Sequence, residues 1–423
     1  MFGIETLNKI FLDAMIGIPK GDIGVGVSGG GDSLALLLLS AEWAQNTNRS
    51  LKAVTIDHGL RPGSSLECDH VKRISDELCI QHTTLKWLTK PIGNLQNAAR
   101  NARHELLLEW TNKQKLSVVL LGHTLDDNAE TIIIKLIRGS GVDGLAGVEK
   151  SKNINGLNIF RPLINISRDD LRRYLQVKKV TWIDEPSNFD ERFERIKVRN
   201  FLPSLSDIGL TSKKLVKLAS HMSRAKEALN WHVSNFARQH VQQTIWGDLA
   251  INFDEFIKIP REYQFRLLSS GLRWISGKVH KPRFQSLERL LNAITSQKLG
   301  TSMTLMGCII KYDGNWIKLT REFSAISKPS IVLEPNFVWE KKWQIEIDLE
   351  QLNVATVGPV GKNGLEQIRR YNKQNLPEKA LICSVAMFDN ENLLCVPIVS
   401  YGSGLKCYMI GGDKSFLKFM LAY

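Results

Sequence analysis

Apolar and polar positions follow two textures along the chain. Up to about residue 138, short apolar runs alternate with longer stretches of helical spacing. A leading helix is expected within residues 1–20, ending at Gly17-Ile18-Pro19. The run Ile23–Val27 reads as a strand and Leu34–Leu39 as the aliphatic part of a helix. Leu51–Ile56 reads as a second strand and Thr83–Leu88 as a third. Ser64–Leu78 carries Leu66, Val71, Ile74 and Leu78 at helical spacing, with Ser64 or Ser65 as the N-cap. Leu95–Trp110 is a helix, Val118–Leu121 a fully apolar strand, and Asp126–Arg138 another helix. Strands alternating with helices predict an α/β fold with a parallel sheet and crossovers, whose ligand site lies at the carboxyl ends of the strands.

From Gly139 the texture changes. A loop over 139–145 leads to a strand over Gly156–Phe160 and a turn at Arg161-Pro162-Leu163. Ser167, with an acid three residues on, marks a helix start. Trp182–Asn200 holds few periodic apolar residues and many charges. Helices resume over Ser212 to about His240 and Arg261–Ile275. Lys328-Pro329-Ser330 reads as a linker, and short strands follow at Ile331–Leu333, Trp343–Ile347, Leu381–Met387 and Leu393–Val399. The expected division is an α/β catalytic domain over 1–205, a helical domain over 206–327 and a small α+β domain over 328–423.

A length of 423 residues exceeds one ordinary domain, and 43% hydrophobic with 23% charged residues is a globular balance. No apolar run reaches membrane-spanning length, and residues 1–20 are mixed and amphipathic rather than signal-like. The six cysteines contain no C-x-x-C pair and read as reduced thiols of a cytoplasmic protein. A net charge of +13 points to a polyanionic partner.

The chemistry concentrates at predicted strand ends. Ser28-Gly29-Gly30-Gly31-Asp32-Ser33 falls between the first strand and its helix. Backbone N–H groups and the positive end of the helix dipole converge there on an anion, with Ser28 and Ser33 as hydroxyl donors. Asp32 is repelled by phosphate unless a cation intervenes, so the loop suggests a nucleotide bound with Mg²⁺. His123-Thr124-Leu125-Asp126-Asp127-Asn128-Ala129-Glu130 follows another strand. Asp126, Asp127 and Glu130 lie within one helical turn. They would hold Mg²⁺, or grip the ammonium of an amine substrate and take its proton; one of them is expected only to cap the helix. His58 and His123 lack partners at zinc-ligand spacing. Arg168, Arg172, Arg173, Lys178 and Lys179 form a basic helix surface suited to an RNA backbone.

The Ser-Gly-Gly-Gly-Asp-Ser stretch resembles the signature of the PP-loop ATP pyrophosphatases, which split ATP between the α and β phosphates. Further blocks narrow the resemblance: Asp57-His58-Gly59-Leu60-Arg61, Ala99-Arg100 with Arg103, Gly122 through Thr131, Arg138-Gly139-Ser140-Gly141, Arg161-Pro162-Leu163, Ser167-Arg168 with Leu171 and Tyr174, and Trp182–Asp184 with Ser187, Asn188 and Asp190. In that order they resemble the tRNA(Ile)-lysidine synthase family over roughly the first half of the chain. The sequence departs from the family at Lys197, within Arg195-Ile196-Lys197-Val198-Arg199, where an arginine is usual, and at His104, where a tyrosine is usual.

The resemblance implies that ATP adenylates the C2 oxygen of the wobble cytidine of the AUA-reading tRNA, and that free lysine then displaces AMP. The implied cofactors are ATP and Mg²⁺. The implied partners are tRNA(Ile) with a CAU anticodon and free L-lysine, with a homodimer as a further expectation. Under this scheme Ser28, Gly29, Gly30, Gly31, Asp32, Ser33, Arg100 and His123 bind nucleotide. Asp32 with Asp126 or Asp127 positions Mg²⁺, and Arg100 or Arg103 stabilises charge at the α-phosphate and pyrophosphate. Asp127 or Glu130 deprotonates lysine, whose free amine has a pKa of ~10.4. Arg161, Arg168, Arg172, Arg195 and Arg199 contact tRNA. The alternative within the superfamily, a tRNA thiolase, needs paired sulfur-carrying cysteines, and none are paired here. GMP or NAD synthetases share the loop but need no such basic chain, and a nucleotide-sensing RNA binder would have no use for three clustered acids.

Overall fold

The computed structural model describes residues 3–59, 64–88, 95–154, 156–184, 190–298, 300, 302–332, 334–347, 355–371, 377–412 and 415–422. Of the positions singled out above, Leu60, Arg61, Ser187, Asn188 and Leu333 lie outside them. The chain forms two compact units, Met1–Lys226 and Glu227–Tyr423.

In the first unit, helices and strands alternate: α1 (Ile4–Met15), β1 (Ile23–Gly26), α2 (Gly31–Thr47), β2 (Leu51–Asp57), α3 (Ser64–Glu77), β3 (Gln81–Lys86), α4 (Leu95–Gln114), β4 (Val118–Leu121), α5 (Leu125–Ile137) and α6 (Val142–Leu145). The hairpin strands β5 (Ser151–Ile154) and β6 (Leu157–Phe160) follow, then α7 (Arg168–Val177), α8 (Glu194–Asp207) and α9 (Ser212–His240), which continues into the second unit. The sheet order is β3-β2-β1-β4-β6-β5, parallel except for β5 at the edge. β1 has β2 on one side and β4 on the other, so strand order reverses around it. A ligand crevice opens at such a reversal.

The core explains the order. Leu34 to Leu39 are all buried, so α2 is enclosed by apolar neighbours on every side. Leu7, Phe11 and Met15 of α1 and Leu171, Tyr174 and Leu175 of α7 complete that cluster. Val198, Leu202, Leu215 and Ala219 pack on Ile132 and Ile133 of α5. That second cluster carries the first unit to Lys226, past the boundary expected at residue 205.

The second unit begins with β7 (Val241–Gln243) and β8 (Leu249–Asn252), then α10 (Phe253–Phe256), α11 (Arg261–Ser276), α12 (Phe284–Thr295), β9 (Met303–Leu305), β10 (Cys308–Asp313) and β11 (Trp316–Arg321). The expected helices are present, and with them a five-stranded antiparallel sheet of order β7-β8-β11-β10-β9. The C-terminal strands are β12 (Ser330–Val332), β13 (Asn336–Trp339), β14 (Trp343–Ile347) and β15 (Ala355–Pro359). Helices α13 (Gly361–Tyr371) and α14 (Glu378–Leu381) precede β16 (Val385–Asp389), β17 (Asn392–Val396), β18 (Tyr401–Gly402), β19 (Leu405–Met409) and α15 (Ser415–Ala422). They form sheets β12-β15-β16-β17-β18 and β13-β14-β19. Phe416 and Met420 of α15 enter the core made by α11, α12 and β10. That core therefore draws residues from both sides of the expected break between 327 and 328, while two further clusters, around Ile345 and Met387 and around Ile368 and Leu381, take their buried residues from beyond it.

Candidate active site

The signature loop sits at the strand reversal, between β1 and α2. It holds itself open through its own polar groups: the Ser28 N–H donates to Ser33 Oγ (3.1 Å), and Ser33 Oγ–H donates to the Gly30 carbonyl (2.9 Å). Gly29 adopts φ +89°, a conformation that a side chain would strain. No side chain caps α2, so its first N–H groups remain directed at the loop. The Ile183 N–H bonds the Gly29 carbonyl (3.1 Å), and a Cβ on Gly31 would meet the Trp182 ring at 3.4 Å. The 182–183 segment thus braces the loop from outside, a contact the sequence did not announce.

The second constellation starts at the end of β4. A Cβ on Gly122 would lie 3.2 Å from the Asp32 carbonyl and Ser33 Cα, so this glycine lets the two signature stretches touch. Thr124 and Asp127 form a reciprocal capping box: the Thr124 N–H donates to Asp127 Oδ2 (2.9 Å), and the Asp127 N–H to Thr124 Oγ1 (3.3 Å). One oxygen of Asp127 serves the helix, and the other faces the site.

That free oxygen meets an arginine. Arg168 Nε lies 3.1 Å from Asp32 Oδ2, its Nη2 3.2 Å from Asp127 Oδ1, and its Nη1 3.6 Å from Glu130 Oε1. Arg195 and Arg199 each place Nε 2.7 Å from a Glu130 oxygen. Three acids and three arginines form one network. Burial pushes the Asp32 carboxyl upward against the pull of Arg168. Burial acts the same way on Asp127, but Arg168, Arg195 and the Thr124 N–H together hold it below the usual carboxylate range. Arg168 is held more firmly protonated than a free arginine, its acid partners outweighing its burial.

Several expectations are corrected here. Asp126 does not face the loop. Its Oδ2 accepts the Arg168 N–H (2.8 Å) and its Oδ1 the Ser212 hydroxyl (3.2 Å), so it clamps α7 and α9 to α5. Glu130 has 0% exposure and two arginines on its oxygens, so it is engaged within the protein rather than open to the site. Arg168 turns inward from the surface expected of it. Arg195 and Arg199 serve Glu130, and Arg161 is buried with Nη1 donating to the Glu149 carbonyl (2.8 Å). Among the five arginines assigned to tRNA, Arg172 alone is bound only by surface contacts, paired with Asp184 at 3.2 Å and lying over the Trp182 ring.

The remaining candidates follow the carboxyl ends of β2 and β4 or lie on α4. His58, after β2, packs edge-on against Trp87 and meets Arg103 Nη2 through Nε2 (3.3 Å). Burial, then the charge of Arg161, pushes His123 down to about 4, so it is a neutral acceptor at pH 7. Its Nδ1 and that of His58 are buried without a hydrogen-bond partner among the described residues. Arg100 is exposed. Among the described residues, no group of three or more His, Cys, Asp and Glu side chains is placed to hold a metal. Asp32 and Asp127 do converge on a single cationic group. Two such carboxylates suit a magnesium ion that completes its shell with phosphate oxygens and water. No helix among the described residues is long and apolar enough to cross a membrane, and the six cysteines are unbridged.

Residues 4–205 match the PP-loop domain family. A curated tRNA(Ile)-lysidine synthase of Ruegeria pomeroyi is 32% identical over 406 residues, covering 96% of this chain and 95% of its own. The chain belongs to the tRNA(Ile)-lysidine synthase family. A member from Wolbachia pipientis wMel is 35% identical and covers 80% of each chain. Among solved structures, a U34-tRNA thiolase from Methanococcus maripaludis superposes with a TM-score of 0.46 at 19% identity, covering 52% of this chain and 80% of its own. For a lysidine synthase the site has the expected ATP-binding loop. Its acid cluster, however, is neutralised from within.

Proposed function

We propose that the chain is an ATP-dependent ligase that activates the wobble cytidine of tRNA(Ile) with a CAU anticodon and joins free L-lysine to it, releasing AMP and pyrophosphate. The observation that carries this reading is the convergence of Asp32 and Asp127 on one cationic position beside an uncapped glycine loop. Family membership over nearly the whole chain supports the choice of substrate.

The N–H groups of the loop and the hydroxyls of Ser28 and Ser33 hold the triphosphate. Asp32 and Asp127 would hold the magnesium, which would supply charge neutralisation at the phosphates. Arg100 and Arg103, on the adjoining helix, face charge that builds as the C2 oxygen attacks the α-phosphorus and pyrophosphate leaves. Lysine must then attack as a neutral amine. Glu130 is sealed and Asp127 is held below the usual carboxylate range, so neither takes the proton: the arginines around the site disfavour an ammonium beside them, and the proton leaves to solvent.

Purified protein with ATP, labelled lysine and tRNA tests this. Lysine incorporation that requires both ATP and the tRNA is the expected result. Absence of AMP release, or transfer of labelled sulfur, overturns it.

A further inference from the structure

The acid cluster is neutral as it stands, with Asp32, Asp127 and Glu130 against Arg168, Arg195 and Arg199. A cation that enters must therefore take the place of one already there. The three arginines are not equally held. Arg195 and Arg199 approach a carboxylate of 0% exposure at 2.7 Å each. Freeing either would strand a buried charge. Arg168 makes longer contacts, 3.1, 3.2 and 3.6 Å, to three different acids. Its two nearest partners keep 23% and 15% exposure.

The backbone at Arg168 is anchored independently of its side chain, which is 18% exposed. Its N–H is tied to Asp126 at 2.8 Å, and Ser167 caps the helix that it begins, so the pivot stays in place. Asp32, against which the guanidinium rests, directly follows the three loop glycines. A side chain released from Asp32 needs only a rotation of its own torsions to reach a phosphate held by the loop, and a guanidinium suits phosphate oxygens as well as carboxylates.

Building on the function proposed above, we propose that Arg168 is an exchangeable counter-ion of the active site. Without nucleotide it neutralises the Asp32–Asp127 pair. When nucleotide arrives with magnesium, the ion takes the two carboxylates and the Arg168 guanidinium turns onto the triphosphate. Each charge changes partner and none is left unpaired. Magnesium alone is excluded, because it offers Arg168 no anion in return. Arg168 would thereby make metal entry conditional on nucleotide.

The test measures binding without tRNA or turnover. Wild-type protein, Arg168→Met and Arg168→Lys are titrated with MgCl2 alone and then with ATP plus MgCl2, followed by calorimetry and thermal melting. Wild type should bind the nucleotide and ignore magnesium alone. Arg168→Met should gain a magnesium-dependent rise in melting temperature and bind the nucleotide about tenfold more weakly, the loss of one charge-assisted contact. Arg168→Lys keeps the charge without the planar fork. It should ignore magnesium alone, as wild type does, and still bind nucleotide more weakly. Wild type that binds no ATP overturns the functional reading along with this one. Wild type that binds ATP, beside an Arg168→Met protein that neither gains a magnesium response nor loses nucleotide affinity, overturns the role of Arg168 only. Should Arg168→Met fail to fold, wild-type nucleotide affinity in Arg168→Lys overturns it equally.

Discussion

Each unit carries a buried ionic cluster, and the two are built on opposite principles. In the first, charges are shared: Arg168 touches three acids and Glu130 three arginines. In the second, Lys342 is buried with its Nζ 4.6 Å from the Trp274 ring centre and 3.2 Å from the Gly247 carbonyl, and Asp248 is its main acidic neighbour. Arg321 and Glu340 pair alongside at 2.8 Å. A charge with many partially exposed partners can exchange one for another at little cost. Lys342, with Asp248 as its main acid and an aromatic wall beside it, has little room to change partners, so it fixes packing. Shared connectivity, more than burial, separates a working cluster from a structural one.

The largest effect expected within that contrast is at Asp32. Asp32→Ala removes one arm of the cation position and leaves the loop backbone intact. AMP formation should fall by at least about a thousandfold while the fold is kept. Wild-type AMP output from this variant would remove Asp32 from the mechanism. Glu130 marks where the same cluster turns structural. Glu130→Ala strands Arg195 and Arg199 against α5, and the first unit should lose about 3 kcal/mol of stability in denaturant unfolding. A variant as stable as wild type would mean that those arginines find water readily, and that the cluster is looser than the 2.7 Å contacts imply.

Lys342 breaks the comparison from the other side. Lys342→Met leaves Asp248 without its cation and should cost about 2 kcal/mol, while Lys342→Met with Asp248→Asn should recover most of it. The pair also sets a pH signature. Burial lifts Asp248 to about 6 from 3.8, so between these values the folded protein holds a proton that the unfolded chain has released. Stability therefore falls as pH rises through that window. Burial lowers Lys342 to about 8 from 10.5, so between those values the unfolded chain holds the extra proton and stability rises with pH. Melting temperatures should show a shallow minimum between pH 6 and 8, and the double variant should flatten it. An unchanged profile in that variant assigns the pH dependence to other groups.

The first unit was legible because its elements are punctuated. A strand, a glycine loop and an apolar helix state their order in consecutive residues, and Ser167 with its acid marks the start of α7 as found. The expected Ser212–His240 and Trp343–Ile347 are also the observed bounds. The second unit hid its first sheet. β10 and β11 alternate buried Ile310, Ile317 and Leu319 with exposed or half-buried neighbours, joined through Gly314-Asn315, a hairpin signal the sequence carried. The helices on either side, with their stronger periodicity, masked it. In the active site, residue types were legible and their partners were not. Thr124 three residues before Asp127 already spelled a capping box. That Glu130 would meet Arg195 and Arg199 depends on how α8 packs on α5, which no local pattern encodes.

The smallest effect sharpens the comparison most, because it separates arginines that look alike in sequence. Arg172 and Arg168 stand one turn apart on α7, yet Arg172 is 44% exposed and paired with an acid that is 53% exposed. Such a pair contributes about 0–1 kcal/mol to stability. The charge of Arg172 acts on Asp32 less than that of Arg168 does, so Arg172→Ala should leave melting unchanged and disturb ATP binding less than Arg168→Met. The affinity of Arg172→Ala for tRNA should fall only a few-fold, and the slope of log affinity against log salt should flatten by about one ion. The nearby Arg168→Met should instead alter nucleotide binding and leave the salt slope for tRNA in place. If both variants shift the salt slope together, the first turn of α7 and the turn that follows it are not chemically separate, and the line between an exchanging cluster and a surface contact must be drawn elsewhere.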